Sequence, residues 1–117
     1  MGLSLNTHVS GDIFIVECEG RIVFGDEGAS LRERVGGLLS GTPKIVVNLR
    51  QVTHIDSGGI GILVGFFVSA KKRGGDLKLV SPNQHVIDVL HRTHLDTIFA
   101  VYRNCDDAVA AFRKQAA

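Results

Sequence analysis

The sequence predicts an α/β domain, in which a mixed β-sheet begins as an antiparallel hairpin, continues in parallel strands and carries about four α-helices. Three observations predict it. Residues 3–22 alternate apolar and polar side chains, as a half-buried hairpin does. Beyond Gly25, helical periodicity alternates with short apolar runs, which is typical of right-handed crossovers between parallel strands. Because the 117 residues contain no linker, repeat or low-complexity tract, we expect a single domain over residues 1–117.

The hairpin and the first helix have clear sequence signals. The turn of the hairpin is expected at residues 10–12, and Phe14, Val16 and Cys18 then fall on one face of its second strand. The first helix is expected over residues 26–39, since four leucine and valine side chains recur at the spacing of one helical face. They are Leu31, Val35, Leu38 and Leu39.

The middle of the chain predicts a central strand, a buried helix and a further strand. Residues 44–49 form a nearly continuous β-branched run, as expected of a strand that is covered on both faces. A helix over residues 58–73 follows, apolar on most sides, with basic residues in its last turn and Gly74 and Gly75 as its C-cap. Residues 76–80 are the next strand.

The last third of the chain predicts two more helices and a strand. Ser81 is expected to be the N-cap of the third helix, with Pro82 at the first helical position and Gln84 closing a capping box. Residues 97–102 form the last strand. Asn104 then caps a final helix, which is acidic in its first turn and basic in its last.

Composition bears on partners and on location. The formal net charge is +1 and the basic residues form no stripe, so a nucleic-acid partner is not expected. The longest apolar stretch, residues 60–70, is about half the length that crosses a bilayer, and no signal peptide is evident at the N-terminus. We therefore expect a cytoplasmic protein without a membrane partner, with its two cysteines, Cys18 and Cys105, reduced.

The segment between the central strand and the buried helix is the most informative for function. Asp56 is a suitable N-cap, which places Ser57 in the first helical turn at an exposed sheet edge. The glycines at positions 58, 59 and 61 each cost a helix about 0.5 to 1 kcal/mol relative to alanine. They permit a close approach by another backbone, and the residues alone do not say whether it comes from within the fold or from a partner.

The run Ile55-Asp56-Ser57-Gly58-Gly59-Ile60-Gly61-Ile62-Leu63 resembles the [IM]-D-S-[ST]-G-L-G-x-L signature of anti-sigma-factor antagonists in the STAS domain family. The resemblance covers nearly the whole chain. It includes the strand end at residues 19–22, the central strand at residues 45–49, the segment 73–80 and the pattern of residues 89–99.

The resemblance implies a STAS-like fold and a phosphorylation switch. In that family the serine after the aspartate is phosphorylated by an anti-sigma factor that is a serine kinase, and a PP2C-type phosphatase reverses the reaction; here that serine is Ser57. The unphosphorylated antagonist holds the anti-sigma factor and frees the sigma factor, and phosphorylation releases it. The resemblance places the partner-binding surface on Asp56, Gly58, Gly59, Gly61 and Asp26.

Two positions depart from the family pattern. Gly58 stands where many members carry a second serine or threonine. Val23 stands where many have an aspartate after the second strand, with the acidic residues displaced to Asp26 and Glu27.

Other functions fit the sequence less well. A STAS scaffold or sensor that binds protein partners or a nucleotide without being phosphorylated is the main alternative, although no dinucleotide fingerprint or P-loop occurs. A hydrolase using Ser57 ranks last, because no G-x-S-x-G elbow is present. His91 and His94 have the spacing of a metal pair but no third ligand. We expect neither enzymatic activity, nor a cofactor, nor a metal.

Overall fold

The computed structural model describes residues 3–23, 25–39, 41 and 43–116. Within them the chain forms five strands and four helices, as the sequence predicted. In chain order they are β1 (Leu3–Ser10), β2 (Ile13–Ile22), α1 (Asp26–Leu39), β3 (Lys44–Ile55), α2 (Ser57–Lys72), β4 (Asp76–Val80), α3 (Gln84–Arg92), β5 (Ala100–Tyr102) and α4 (Cys105–Ala116).

The sheet has the order β1-β2-β3-β4-β5. β1 pairs antiparallel with β2, and the remaining neighbours pair in parallel, so that the predicted mixed sheet with β3 at its centre is confirmed. Gly11, with φ at +64°, takes the backbone through the hairpin turn into the left-handed region that glycine tolerates.

β3 is longer than the sequence predicted. It pairs with β2 as far as Ile22 opposite Ile55, whereas β4 ends with Val80 opposite Asn48. Residues 49–55, here called the β3 tail, therefore extend past the end of β4 and lead directly into α2. The prediction ended this strand at Leu49 because the apolar run stops there and exposed polar residues follow.

Side chains on the two faces of the sheet pack into two cores. The larger core joins the sheet to α1, α2 and α3, through residues such as Val35, Leu63 and Leu90. The smaller core joins the opposite face to α4, where Phe112 packs with Ile15 and Val46. Helices thus cover both faces, and the face predicted from Phe14, Val16 and Cys18 is confirmed as part of the larger core.

The smaller core contains a buried ion pair. The side chain of Lys78 is 1% exposed, and its ammonium lies 3.1 Å from a carboxylate oxygen of Asp76. It also stands 4.7 Å from the ring centre of Phe112 on α4 and 5.6 Å from that of Tyr102. A lysine on the central part of the sheet is therefore held by a carboxylate and by two aromatic faces.

The predicted start of α3 is wrong. Asn83, not Ser81, is the N-cap: its side-chain oxygen accepts a hydrogen bond from the Val86 N–H at 2.9 Å, and Pro82 precedes the helix. Ser81 is engaged elsewhere, since its N–H donates to the Tyr102 carbonyl and its hydroxyl donates to the Arg103 carbonyl. Its φ of +53° also turns the chain before the helix can begin.

The other element ends differ little from expectation. α1 has the predicted bounds. α2 spans Ser57–Lys72, one residue earlier than predicted at each end. After its last turn the Gly75 N–H donates to the Ala70 carbonyl at 2.8 Å, and Gly74 has a φ of +86°. β5 keeps only the last three of its six predicted residues. Asn104 caps α4 as predicted, accepting from the Asp107 N–H at 2.8 Å.

Candidate functional site

The turn from β3 into α2 carries the residues that the sequence singled out. Asp56 has extended backbone angles, φ −114° and ψ −175°, and its Oδ1 accepts a hydrogen bond from the Gly59 N–H at 2.9 Å. Its carbonyl accepts from the Ile60 N–H, also at 2.9 Å. The predicted N-cap is therefore confirmed, and the side chain satisfies one of the N–H groups that a helix start leaves unpaired.

Ser57 is the first residue of α2 and is exposed. It stands at the positive end of the helix dipole, where added negative charge is tolerated. The same face of α2 continues through exposed Gly61 and Gly65 to Val68, which is 44% exposed. A macromolecule can therefore reach the hydroxyl and the helix face beyond it without rearrangement of the core.

The three glycines after Ser57 lie in different environments. Gly59 is buried, and a Cβ on it would stand 2.0 Å from the Ile22 carbonyl oxygen. At this position the close approach comes from within the fold. Gly61 is exposed and a Cβ there would meet nothing within 4 Å, while Gly58 is half-buried. Of the three, Gly58 and Gly61 are therefore the ones with surface to offer a partner.

Asp26, the remaining residue expected on this surface, is the first residue of α1. Its side chain lies outside what the structure describes, so its part in the surface stays a prediction.

The segment that carries Ser57 is held from two sides. On the β2 side, the Asp56 N–H donates to the Ile22 carbonyl at 3.4 Å. On the α3 side, the Asn83 side-chain amide donates to the Val52 carbonyl at 2.9 Å, and Nε2 of His85 accepts from the Ile55 N–H at 3.4 Å. The three bonds fix the path of the chain immediately before Ser57.

Sequence reasoning missed Asn83 and His85. Asn83 was treated only as part of a helix start, and no role was assigned to His85. Each bonds a backbone group about thirty positions earlier in the chain, and no local pattern encodes such a contact. The one available signal was the polar stretch after Leu49, whose backbone groups need partners if it is a strand.

Metal-binding groups do not assemble around the site. Within the described ranges, no three histidine, cysteine, aspartate or glutamate side chains lie close enough to hold a metal ion. Nor is any helix in the described part of the chain long and apolar enough to cross a membrane. His91, considered above with His94 as a metal pair, has its Nδ1 2.9 Å from the Asp96 carboxylate.

The fold and this turn together match a known family. The family model for the STAS domain matches residues 4–108, which is nearly the whole chain. The chain belongs to the STAS domain family.

Two curated relatives agree with this assignment. This STAS domain is 37% identical over 78 residues to a Thermotoga maritima protein named as a candidate anti-sigma factor antagonist, covering 67% of this chain and 69% of the relative. It is 32% identical over 79 residues to the anti-sigma-B factor antagonist of Bacillus subtilis, covering 68% and 72%.

Solved structures share the fold along almost the full length. A crystal structure of a candidate anti-sigma factor antagonist from Thermotoga maritima has a TM-score of 0.87 at 28% identity, covering 93% of this STAS domain and 94% of that chain. The antagonist SpoIIAA, in its unphosphorylated form, has a TM-score of 0.81 at 17% identity, covering 95% and 97%. Its phosphorylated form from Bacillus has a TM-score of 0.74 at 14% identity, covering 92% and 98%. At these identities SpoIIAA supports the fold alone.

Proposed function

We propose that this STAS domain is an anti-sigma-factor antagonist that binds a serine-kinase anti-sigma factor and is released when that kinase phosphorylates Ser57. A PP2C-type phosphatase would restore the binding form. The observation that carries the proposal is the position of Ser57, exposed as the first residue of a helix whose N-cap and first glycines match the family signature. The relatives named as anti-sigma factor antagonists support the same role.

Phosphorylation at this position is compatible with the fold. The kinase transfers the γ-phosphoryl group of ATP to the Ser57 hydroxyl oxygen, whose proton is lost, and ADP leaves. The product carries about −1.5 to −2 charge, which a helix N-terminus accommodates through its N–H groups and dipole. Because Ser57 is exposed, the phosphate stays in solvent and displaces no core side chain. The domain therefore keeps its structure while its surface changes.

The same phosphate would oppose docking. We place the partner surface on Asp56, Ser57, Gly58 and Gly61, with Gly59 supporting it from inside, and we extend it to Asp26 on α1. At Gly61 nothing stands within 4 Å of a Cβ position, so a partner backbone can come close there. A thousandfold loss of affinity corresponds to about 4 kcal/mol. A unit charge pair at about 4 Å contributes roughly 1 kcal/mol in water and about 4 kcal/mol near a protein surface, so repulsion and steric exclusion together suffice.

The test is a phosphorylation assay with the serine-kinase anti-sigma factor of the same organism and radiolabelled ATP. We expect one phosphate per chain, located on Ser57 by mass spectrometry, and no incorporation into Ser57→Ala. The matched control is Ser4→Ala, since Ser4 is exposed on the edge strand β1, which β2 separates from β3 and its turn into α2. Ser4→Ala should be phosphorylated like the wild type.

Binding distinguishes the switch from a scaffold role. In a pull-down with the same anti-sigma factor, Ser57→Asp should lose the partner and Ser4→Asp should keep it. Uptake of phosphate by Ser57→Ala would show that the acceptor lies elsewhere. Full retention of the partner by phosphorylated wild-type protein would instead favour a STAS scaffold without a switch.

A further inference from the structure

On its α3 side the β3 tail pairs with no strand of the described residues, and side chains take the place of such a strand. Its β2 side is paired as far as Ile55, but β4 ends opposite Asn48. Beyond that point, the Val52 carbonyl accepts from the Asn83 side chain, and the Ile55 N–H donates to His85. The tail that delivers Asp56 and Ser57 to the surface is therefore attached to the first turn of α3 by two side chains.

Asn83 uses both ends of its side-chain amide. Its oxygen accepts from the Val86 N–H and caps α3, while its NH₂ donates to the Val52 carbonyl at 2.9 Å and approaches the Thr53 carbonyl at 3.4 Å. These partners fix the orientation of the amide, because its oxygen must face the Val86 N–H and its NH₂ group must face the Val52 carbonyl. An aspartate could keep the cap but could not donate to β3.

His85 bonds the tail only while its Nε2 is unprotonated. A backbone N–H donates to this nitrogen, so the ring must carry its proton on Nδ1, and a doubly protonated ring has no acceptor to offer. Protonation of Nε2 therefore removes the bond to Ile55.

Titratable or charged side chains occur on each element next to His85. The nearest ring is that of His54, on the β3 tail itself, whose centre lies 5.4 Å from that of His85. The others are Asp88, which accepts a hydrogen bond from Gln84 one helical turn along α3, Asp56 next to Ile55, and Arg21, which is opposite His54 in the pairing of β2 with β3. When both imidazoles are protonated they repel each other, which adds to the loss of the bond.

We propose that Asn83 and His85 are positioning residues that hold the β3 tail so that Ser57 is presented to its kinase, and that protonation of His85 loosens this hold. The inference rests on the proposed function for its consequence at Ser57. Protonation of His85 would then lower the rate at which Ser57 is phosphorylated at acidic pH. The attachment itself concerns two named hydrogen bonds and can be measured without any partner.

The structural test is an NMR titration of the full chain from pH 7.5 to 5.5. We expect the chemical shift of the Ile55 amide to change as His85 is protonated. The protection of this amide against hydrogen exchange, corrected for the intrinsic rate, should fall by between about twofold and about tenfold, as expected for the loss of one hydrogen bond. His85→Gln should abolish the titration, because glutamine keeps an acceptor and does not ionise in this range. His91→Gln, at the other end of α3, should leave it intact.

A matched pair of cap variants separates capping from attachment. Asn83→Asp and Asn104→Asp both keep a cap oxygen, but only Asn83 also donates to a strand carbonyl. We expect Asn83→Asp to lower the protection of the Ile55 amide and to shift the amide of Gly59, which bonds Asp56 at the helix entrance. Asn104→Asp should change neither.

The functional test compares initial rates of phosphate transfer to Ser57 by the serine-kinase anti-sigma factor of the same organism. Rates are expressed relative to His91→Gln at each pH, which removes the pH dependence of the kinase. Asn83→Asp should be about threefold to about tenfold slower, and His85→Gln should lose the decline that the wild type shows towards the acidic end of the range.

Three outcomes bear against the inference or against the proposed function separately. An Ile55 amide that responds equally in wild type and His85→Gln overturns the inference. The inference is also overturned if Asn83→Asp accepts phosphate as fast as the wild type at both ends of the pH range. If Ser57 accepts no phosphate even in the wild type, the proposed function fails. The chemical shift of the Gly59 amide then tests whether the attachment positions this turn. A changed shift in Asn83→Asp supports the inference, and an unchanged shift overturns it.

Discussion

The backbone of Gly59 lies directly against the carbonyl of Ile22, at the end of β2. A Cβ on residue 59 would stand 2.0 Å from that oxygen and 2.9 Å from the Ile55 side chain. The first turn of α2 therefore packs on the sheet with no space for a side chain. This contact, the Asp56 cap and the attachment of the β3 tail to α3 together determine where Ser57 emerges.

Gly59→Ala should destabilise the domain, whereas Gly61→Ala should stabilise it. Alanine at 59 forces backbone atoms apart, and overpacking of this kind costs about 1 to 3 kcal/mol. At 61 a Cβ meets nothing, so the helix gains about 0.5 to 1 kcal/mol from the better helix former. Urea unfolding of both variants measures the difference. Equal effects of the two substitutions would contradict the packing described for Gly59.

Asp56→Ala should lower the free energy of unfolding by about 1 kcal/mol, because the Gly59 N–H loses its cap. Asp56→Asn keeps a cap oxygen and should unfold within a few tenths of a kcal/mol of the wild type. If the carboxylate also takes part in binding the anti-sigma factor, the asparagine variant will be stable and yet bind more weakly. Urea unfolding combined with titration calorimetry separates the two contributions; a loss of stability as large in Asp56→Asn as in Asp56→Ala would rule out simple capping.

Removal of one partner from the buried pair Lys78 and Asp76 should be costly. Asp76→Ala leaves the ammonium buried without its carboxylate, a change that costs about 3 to 5 kcal/mol in comparable pairs. Lys78→Met fills the same space without charge and should change stability much less, since Asp76 also lies 3.6 Å from the Lys71 ammonium near the protein surface. Thermal unfolding of both variants tests this ordering, and the reverse order would contradict it.

The two thiols should differ in reactivity. Burial raises the pKa of the Cys18 thiol to about 12. Burial, with a smaller contribution from Glu17, also raises the pKa of the half-buried Cys105 thiol. At pH 8 we expect a disulfide reagent to label Cys105 slowly and Cys18 only after urea unfolding, because the thiolate is the reactive form. Rapid native labelling of both would contradict the described core.

The same shift has a consequence for stability at high pH. In the folded domain Cys18 keeps its proton up to a pKa of about 12, whereas its ordinary value is 9.0. The native state thus binds more protons than the unfolded state between those values, so this contribution to stability is complete below about pH 9 and is lost as pH rises further. Cys18→Ala should show a shallower loss of stability over that range.

Local patterns in the sequence were sufficient to predict most of the fold. The alternation in β2, the helical spacing of Leu31 and Val35, and the Asp56 cap all act between near neighbours, so the hairpin, α1 and the start of α2 could be predicted. Ser81 misled the prediction, because serine and proline before a glutamine imitate a helix start. Ser81 instead bonds the end of β5 and the residue after it, a contact that no local pattern predicts.

The candidate site was predictable in part for the same reason. Asp56 and Ser57 were found because a helix start is a local feature and the motif around them is specific. The different surroundings of Gly59 and Gly61 could not be foreseen, since they depend on where Ile22 ends in the next strand. Asn83 and His85 were missed because their contacts with the β3 tail span about thirty residues.

The decisive quantity for the proposed switch is the dissociation constant of the complex between this domain and the serine-kinase anti-sigma factor, measured by calorimetry before and after complete phosphorylation of Ser57. We predict a loss of affinity of about a thousandfold, or about 4 kcal/mol, with the circular dichroism of the free domain unchanged. Equal affinity of the two forms would contradict the proposed switch.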